Sequence, residues 1–191
     1  IIMAAYNAEK TIGHSISSVL DQTYPNFELL VVNDCSTDGT EKLVESFAAK
    51  DSRVRLISNE KNSGVSYTRK HGLEEAKGEW IAILDSDDAW APEKLEKQIA
   101  LQGKTNADLL FTGSTFVDAD GQPIGWYLAA PAEVTYRRLL KQNILSNSSA
   151  LVRKELYAKH YASGDGMHED FAIWLSILKK VGRPMEWMSR C

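Results

Sequence analysis

Apolar and polar positions in the first half of the chain alternate between two periods. Residues 1–6, "IIMAAY", are a short apolar run of strand type. Ile12, Ile16, Val19 and Leu20 then recur at helical spacing as one stripe, closed by the turn-forming "QTYPN". "FELLVVND" is continuously apolar, as a strand covered on both faces should be. In "CSTDGT", Ser36, Thr37 or Asp38 can cap a helix whose inner stripe is Leu43, Val44 and Phe47. "VRLIS" reads as a third strand, "NEKNSG" as a loop, and residues 65–77 as a helix ended by Gly78. "EWIAILD" reads as a fourth strand, with Pro92 in the first turn of a helix carrying Leu95 and Ile99. Strands alternating with helices predict an α/β fold of βαβ units, with a mostly parallel central sheet, helices on both faces and ligands at the carboxyl ends of the strands.

The alternation fails after residue 104. In "DLLFTGSTFVDADGQPIGW" two strand-like runs flank Asp120-Gly121, a hairpin signal. A helix near residues 136–141, the run "SNSSALVRKELY" and the Gly-containing "ASGDGMH" follow. A last helix spans residues 169–180, with Phe171, Trp174, Leu175 and Leu178 on one face. No linker or repeat separates the halves, so residues 1–104 read as a ligand-binding βα half and residues 105–191 as a lid or acceptor side of one domain. The chain opens inside an apolar run and stops in "MEWMSRC", which reads as a piece truncated at both ends.

Charge narrows the partners. Lys plus Arg number 22 and Asp plus Glu 26, a net charge of -4, so no global positive field gathers nucleic acid. Cys35 and Cys191 make neither a disulfide framework nor a metal-finger spacing, and Cys35 reads as a small, half-buried thiol. No run approaches about 20 apolar residues, and no signal peptide is visible.

The chemistry concentrates at strand ends. In "IAILDSDDAW" an apolar run meets Asp85, Asp87 and Asp88. Two like charges at about 4 Å repel by roughly 4 kcal/mol at a surface-like dielectric, so a cation is expected there. Hard ions such as Mg²⁺ or Mn²⁺ suit one or two carboxylates plus substrate phosphates; a capped turn ahead of Pro92 accounts for one of the acids but not for three. In a parallel sheet Asn7, Asp34 and Asp85 share one rim. Tyr6 can offer a face to a base and Asp34 an acceptor to a base imide, although packing and turn formation suit them equally. Glu169 and Asp170 open the last helix, either as a favourable helix start or as a general base for an acceptor hydroxyl. His168 is a third metal ligand or, by preference, a surface imidazole. Arg69 is a donor-side guanidinium, a partner of a rim carboxylate or a solvated helix charge; Lys61 and Lys70 read as solvated.

The stretches "IIMAAYNAEKTIGHSISSVLDQTYPNFELLVVNDCSTDGT", "NSGVSYTRKHGLEEAKGEWIAILDSDD", "SNSSALVRKEL" and "HEDFAIW", in this order, resemble the family 2 glycosyltransferases of the GT-A fold, which build bacterial surface polysaccharides. The resemblance implies an inverting transfer from a nucleotide-diphosphate sugar, most often UDP-linked, to a hydroxyl of a glycan or lipid-linked glycan, with Mn²⁺ or Mg²⁺ as cofactor. It implies a cytoplasmic place, with association at the inner face of the membrane. Carried over by motif, Tyr6, Asn7 and Glu9 form the first nucleotide loop and Asp34 recognises the base. Asn62, Gly64, Arg69, Asp85 and Ser86 complete the donor set. Asp85 and Asp87 are the DxD motif, Asp87 the direct metal ligand. Asp170 is the base and Glu169 supports it. Thr68 stands where relatives have a small residue, and no "QxxRW" marks a processive synthase. Trp126, Tyr127 and Tyr136, on the acceptor side, either stack on sugars or, by preference, pack the core.

Two other functions share parts of this pattern. A haloacid-dehalogenase-type phosphatase also leads an apolar run into Asp-x-Asp, but on its first strand and with Thr or Val where this chain has Ala89. A non-catalytic nucleotide-sugar-binding module would bind UDP without turnover. A dinucleotide dehydrogenase is excluded by the first turn, "AAYNAEK", which lacks G-x-G-x-x-G.

Overall fold

The computed structural model describes residues 1–118, 121–161, 169–181 and 185–187. The predicted alternation is present: β1 (Ile2–Ala5), α1 (Ile12–Leu20), β2 (Leu29–Asn33), α2 (Thr40–Ala48), β3 (Val54–Ser58), α3 (Gly64–Glu75), β4 (Trp80–Ala82) and α4 (Lys94–Thr105). There follow β5 (Leu109–Phe111), β6 (Ser114–Val117), β7 (Pro123–Leu128), β8 (Glu133–Val134), α5 (Tyr136–Leu139), β9 (Leu151–Arg153), α6 (Lys154–His160), α7 (Glu169–Val181) and β10 (Met185–Trp187). The helix expected over 136–141 is shorter, and "EWIAILD" is a three-residue strand extended by a single parallel bridge, Ile83 to Ile2.

β1, β2 and β3 pair in parallel. The Ile2–Ile83 bridge, with Leu84 N–H donating to Ile2 O at 3.1 Å, joins their edge to the order β4-β9-β5-β10-β8. β9 runs antiparallel to both β4 and β5, so the sheet is mixed, and β4 and β5 point the same way as β1 and β2. Their carboxyl ends therefore share one rim.

Side chains alternate between two cores. Ile2, Leu30, Ile81 and Ile83 face one side, with Leu73, Ile173, Trp174 and Ile177. Met3, Leu29, Val31, Ala82 and Leu84 face the other, with Ile12, Ile16, Val19, Val44 and Leu95. All five residues of β2 are buried, and each buried Leu or Val there is worth about 1.5–3 kcal/mol over exposure. Gly72 lets α3 lie hard against the strands: a Cβ there would stand 2.7 Å from Ile2 Cγ2 and 3.1 Å from Val32 Cγ2. That close approach brings Arg69, one turn earlier on α3, over the strand ends.

β6 and β7 form a separate two-stranded hairpin with a bulge between Thr115 and Val117. Phe116, Ile124, Trp126 and Tyr127 on it are exposed, Trp126 by 73%. This corrects the expectation that Trp126 and Tyr127 pack the core, because nothing in the described structure covers the hairpin as the main sheet is covered. Tyr136 does pack, half-buried against the first core.

Candidate active site

A cleft of about 370 Å³ opens at the rim, lined by Tyr6, Asp34, Asn62, Gly64, Arg69, Asp85 and Ser86 of the expected set, together with Val65 and Thr68. β1 delivers Tyr6, β2 delivers Asp34, the chain beyond β4 delivers Asp85 and Ser86, and α3 forms the facing wall. Tyr6 is 52% exposed, a free ring at the mouth.

Asp34 is buried, and its carboxylate holds a loop. Oδ1 accepts from Asn59 Nδ2 at 2.7 Å and from Ser63 N–H at 2.9 Å, while Oδ2 accepts from Gly64 N–H at 2.8 Å. Asn59 Nδ2 also donates to Thr68 Oγ1, whose hydroxyl donates to Gly64 O at 2.8 Å. Gly64 has φ +82, a left-handed backbone that glycine adopts without strain. Asp34 thus fixes the first turn of α3 and itself lines the cleft. Asn59 is a supporting residue that the sequence pattern missed; the polar loop "NEKNSG" was its only signal.

Asn7 and Glu9 do not line the cleft. Both are exposed and stitch the first loop to the segment after β2: Thr37 N–H donates to Asn7 Oδ1 at 2.8 Å, and Gly39 N–H donates to Glu9 Oε2 at 3.1 Å. Asn7 (φ 49) and Cys35 (φ 58) bend this pair of loops towards each other.

The acidic tip is braced from behind. Asp85 N–H donates to Ser148 Oγ at 3.1 Å, Trp90 Nε1 donates to Ser148 O at 2.7 Å, and Ser15 Oγ donates to Ser86 O at 2.9 Å. Ser148, from the run "SNSSALVRKEL", thus holds the Asp85 segment, a role that the run itself does not signal. The Asp88 carboxyl is raised above the usual carboxylate range, first by desolvation and then by the charges of Asp85 and Asp87, against the lowering effect of a hydrogen bond from Ser148. The like-charge repulsion expected of the three acids is a contributor here, behind desolvation.

Arg69 is the answering cation. It is 7% exposed, which overturns the solvated alternative; one arm donates to Asp85 Oδ1 and the other to Glu169 Oε1. Burial alone would lower its pKa, but the charges of Asp85 and Glu169 outweigh that and raise it. Lys61 is exposed and Lys70 pairs with Glu74, as expected of solvated bases. Asp170, next to Glu169 at the start of α7, has its carboxyl pushed up, first by burial and then by Glu169, with Arg69 opposing. His168 and "ASGDGMH" lie outside the described residues.

Among the described residues no group of three or more His, Cys, Asp or Glu could cage a metal. One oxygen of Asp85 is engaged by Arg69, and Asp87 is exposed. That donor set suits a divalent ion that takes its other ligands from a diphosphate and water, and does not suit a closed protein site.

Residues 1–161 match the family model "Glycosyl transferase family 2". Over 180 residues the chain is 36% identical to the putative teichuronic acid biosynthesis glycosyltransferase TuaG of Bacillus subtilis (strain 168), covering 94% of this chain and 71% of that protein. It is 42% identical over 180 residues to the UDP-Glc:alpha-D-GlcNAc-diphosphoundecaprenol beta-1,3-glucosyltransferase WfgD of Escherichia coli, covering 94% and 69%. Among solved structures, S. aureus TarS 1-349 superposes with a TM-score of 0.77 at 26% identity, over 99% of this chain but 56% of TarS. The complex of that TarS fragment with UDP-GlcNAc superposes with a TM-score of 0.75 at 25% identity, over 100% and 58%. The chain thus spans a little over half of the solved chain it matches. The fold is the GT-A fold expected from the sequence. By the family match and the identity to these relatives, the chain belongs to glycosyl transferase family 2.

Proposed function

We propose that this chain binds a nucleotide-diphosphate sugar, by preference a UDP-sugar, in the rim cleft and transfers the sugar with inversion to a hydroxyl of a glycan or lipid-linked glycan. The observation that carries the proposal is the shared rim: the Tyr6 ring, the Asp34-anchored loop and the Asp85 tip line one cleft, and Asp170 stands beside the residue bound to Arg69. The UDP-GlcNAc complex of TarS and the lipid-linked acceptor in the name of WfgD support the substrate classes.

Tyr6 stacks on the base, and the loop Asn62–Gly64, held by Asp34, borders the nucleoside. Asp85 and Asp87 face the diphosphate. A divalent cation held there, by Asp87 first, would supply charge neutralisation for the departing diphosphate. Asp170 accepts the proton of the acceptor hydroxyl as its oxygen attacks the anomeric carbon from the side opposite the leaving group; a single displacement inverts the centre. The raised carboxyl of Asp170 suits a base that must hold the proton it takes. No helix of the described residues is long and apolar enough to cross a membrane. A lipid-linked acceptor, the class in the name of WfgD, would meet the exposed hairpin and its Trp126 on the acceptor side.

The test is Asp170→Asn. UDP affinity should stay within about threefold of wild type while transfer falls by about 10²-fold or more. Wild-type turnover by this variant rejects the base, and phosphate release from simple esters would favour a phosphatase.

A further inference from the structure

We infer that Glu169 is a positioning residue: it grips Arg69 and thereby sets the rotation of α7 that aims Asp170, rather than itself exchanging a proton with substrate. The inference rests on the proposed base role of Asp170 and adds to it the part that links the donor rim to the base. Arg69 belongs to α3, whose first turn is fixed by Asp34 through Ser63 N–H and Gly64 N–H. From that fixed helix the guanidinium reaches two carboxylates on elements distant in sequence, Asp85 beyond β4 and Glu169 on α7. The two acids differ. The Asp85 side chain is 35% exposed and borders the cleft, whereas that of Glu169 is 9% exposed and, like Arg69, is shut away from solvent. A carboxylate so enclosed and already bound to a guanidinium is poorly placed to meet an acceptor hydroxyl.

The helix geometry gives the consequence. Successive residues of an α-helix are about 100° apart around its axis, so pinning Glu169 to Arg69 turns Asp170 to a different face. Among the described residues Arg69 Nε is buried without a hydrogen-bond partner, and the hydrogen bonds that orient the fork go to those two carboxylates. Tyr161 O–H, donating to Ser66 O at 2.5 Å, is a second tie between α3 and the acceptor half. The nucleotide end of the cleft is thus connected to the base by a line of protein contacts: Asp34, the start of α3, Arg69, Glu169, Asp170.

Two substitutions separate positioning from proton transfer. Glu169→Gln keeps an oxygen for Arg69 and removes any ability to act as a base, whereas Glu169→Ala removes both. Each is measured for UDP affinity by calorimetry, for melting temperature, and for kcat and the donor and acceptor KM. The expected result is UDP affinity within about threefold of wild type for both, kcat reduced less than about tenfold in Glu169→Gln and by about 10²-fold in Glu169→Ala, with both KM values nearly unchanged. In a background of Arg69→Met, Glu169→Ala should cause little further loss of kcat, because the pair acts as a unit. Equal losses in the Gln and Ala variants would make Glu169 a catalytic carboxylate and overturn the inference. Wild-type kcat in both, or fully multiplicative losses with Arg69→Met, would overturn it as well. Failure of the base reading is seen separately, as unimpaired transfer by Asp170→Asn.

Discussion

Replacing Arg69 with Met tests the ion-pair bridge by stability alone. Arg69 is 7% exposed and faces the Glu169 side chain at 9% and the Asp85 side chain at 35%. Removing one partner of a buried pair strands the other at about 3–5 kcal/mol. Asp85, a third exposed, is screened by water and adds no more than about 1 kcal/mol. Release from Arg69's own desolvation and retention of an apolar stem by Met offset part of this, leaving a net loss of about 3 kcal/mol. For a chain of this size, at 2–4 °C per kcal/mol, that is a fall in Tm of about 6–12 °C. Arg69→Met with Glu169→Gln should melt above Arg69→Met alone, because the second change removes the stranded charge. A single variant melting within about 2 °C of wild type at pH 8, or a double variant melting lower still, would refute the bridge.

Further expectations concern the acceptor side, the base and the first loops. Trp126→Ala, at a residue 73% exposed on the hairpin, should raise the acceptor KM by about tenfold, the scale of one lost ring contact, and leave UDP affinity alone; an unchanged acceptor KM in steady-state assays refutes the platform. Because burial first and the charges of Glu169 and Asp85 next raise the Asp170 carboxyl, against Arg69, and because the base works only when deprotonated, kcat/KM should rise with pH along a limb above the ordinary aspartate value of about 3.9. That limb should move to lower pH in Glu169→Gln; a limb at the ordinary value contradicts the burial. Cys35 has φ 58, a left-handed backbone that already costs a residue with a Cβ about 1–2 kcal/mol and a β-branched one more, so Cys35→Val should lower the denaturant midpoint and Cys35→Gly should lower it less or raise it; equal loss refutes the strain.

The sequence revealed the donor side through local signals. The short apolar runs of β1 to β4 and the period-3.6 stripes of α1, α2 and α4 are local signals, and three strands ending in Asn7, Asp34 and Asp85 follow from parallel pairing. β9 was hidden because "LVR" is too short to show a period and is held by partners far away in sequence, on β4 and β5. Asp85 was legible as a rim carboxylate for Arg69, but its second partner was hidden for the same reason as β9: Glu169 is 100 residues away, and only the fold brings α7 over α3. Asp34 was legible as a rim acid but not as the anchor of Ser63 and Gly64, because that role depends on how "NEKNSG" returns over the strand. Asn7 and Glu9 sit where their motif put them, yet their carbonyl and carboxylate oxygens turn to Thr37 and Gly39 rather than into the cleft. The exposure of Trp126 and Tyr127 could not be read from composition, since aromatic residues in a short hairpin look the same whether covered or bare.

The central claim is that the aspartate tip beyond β4 engages a diphosphate through a divalent ion. Calorimetric titration of UDP into the wild-type chain and into Asp87→Ala, each with Mn²⁺ and with chelator, tests it most directly. Wild type should bind UDP at least about tenfold more tightly with Mn²⁺, a difference of about 1.4 kcal/mol, and Asp87→Ala should lose most of that difference. UDP affinity indifferent to the metal in wild type, or a metal effect undiminished in Asp87→Ala, would contradict the account.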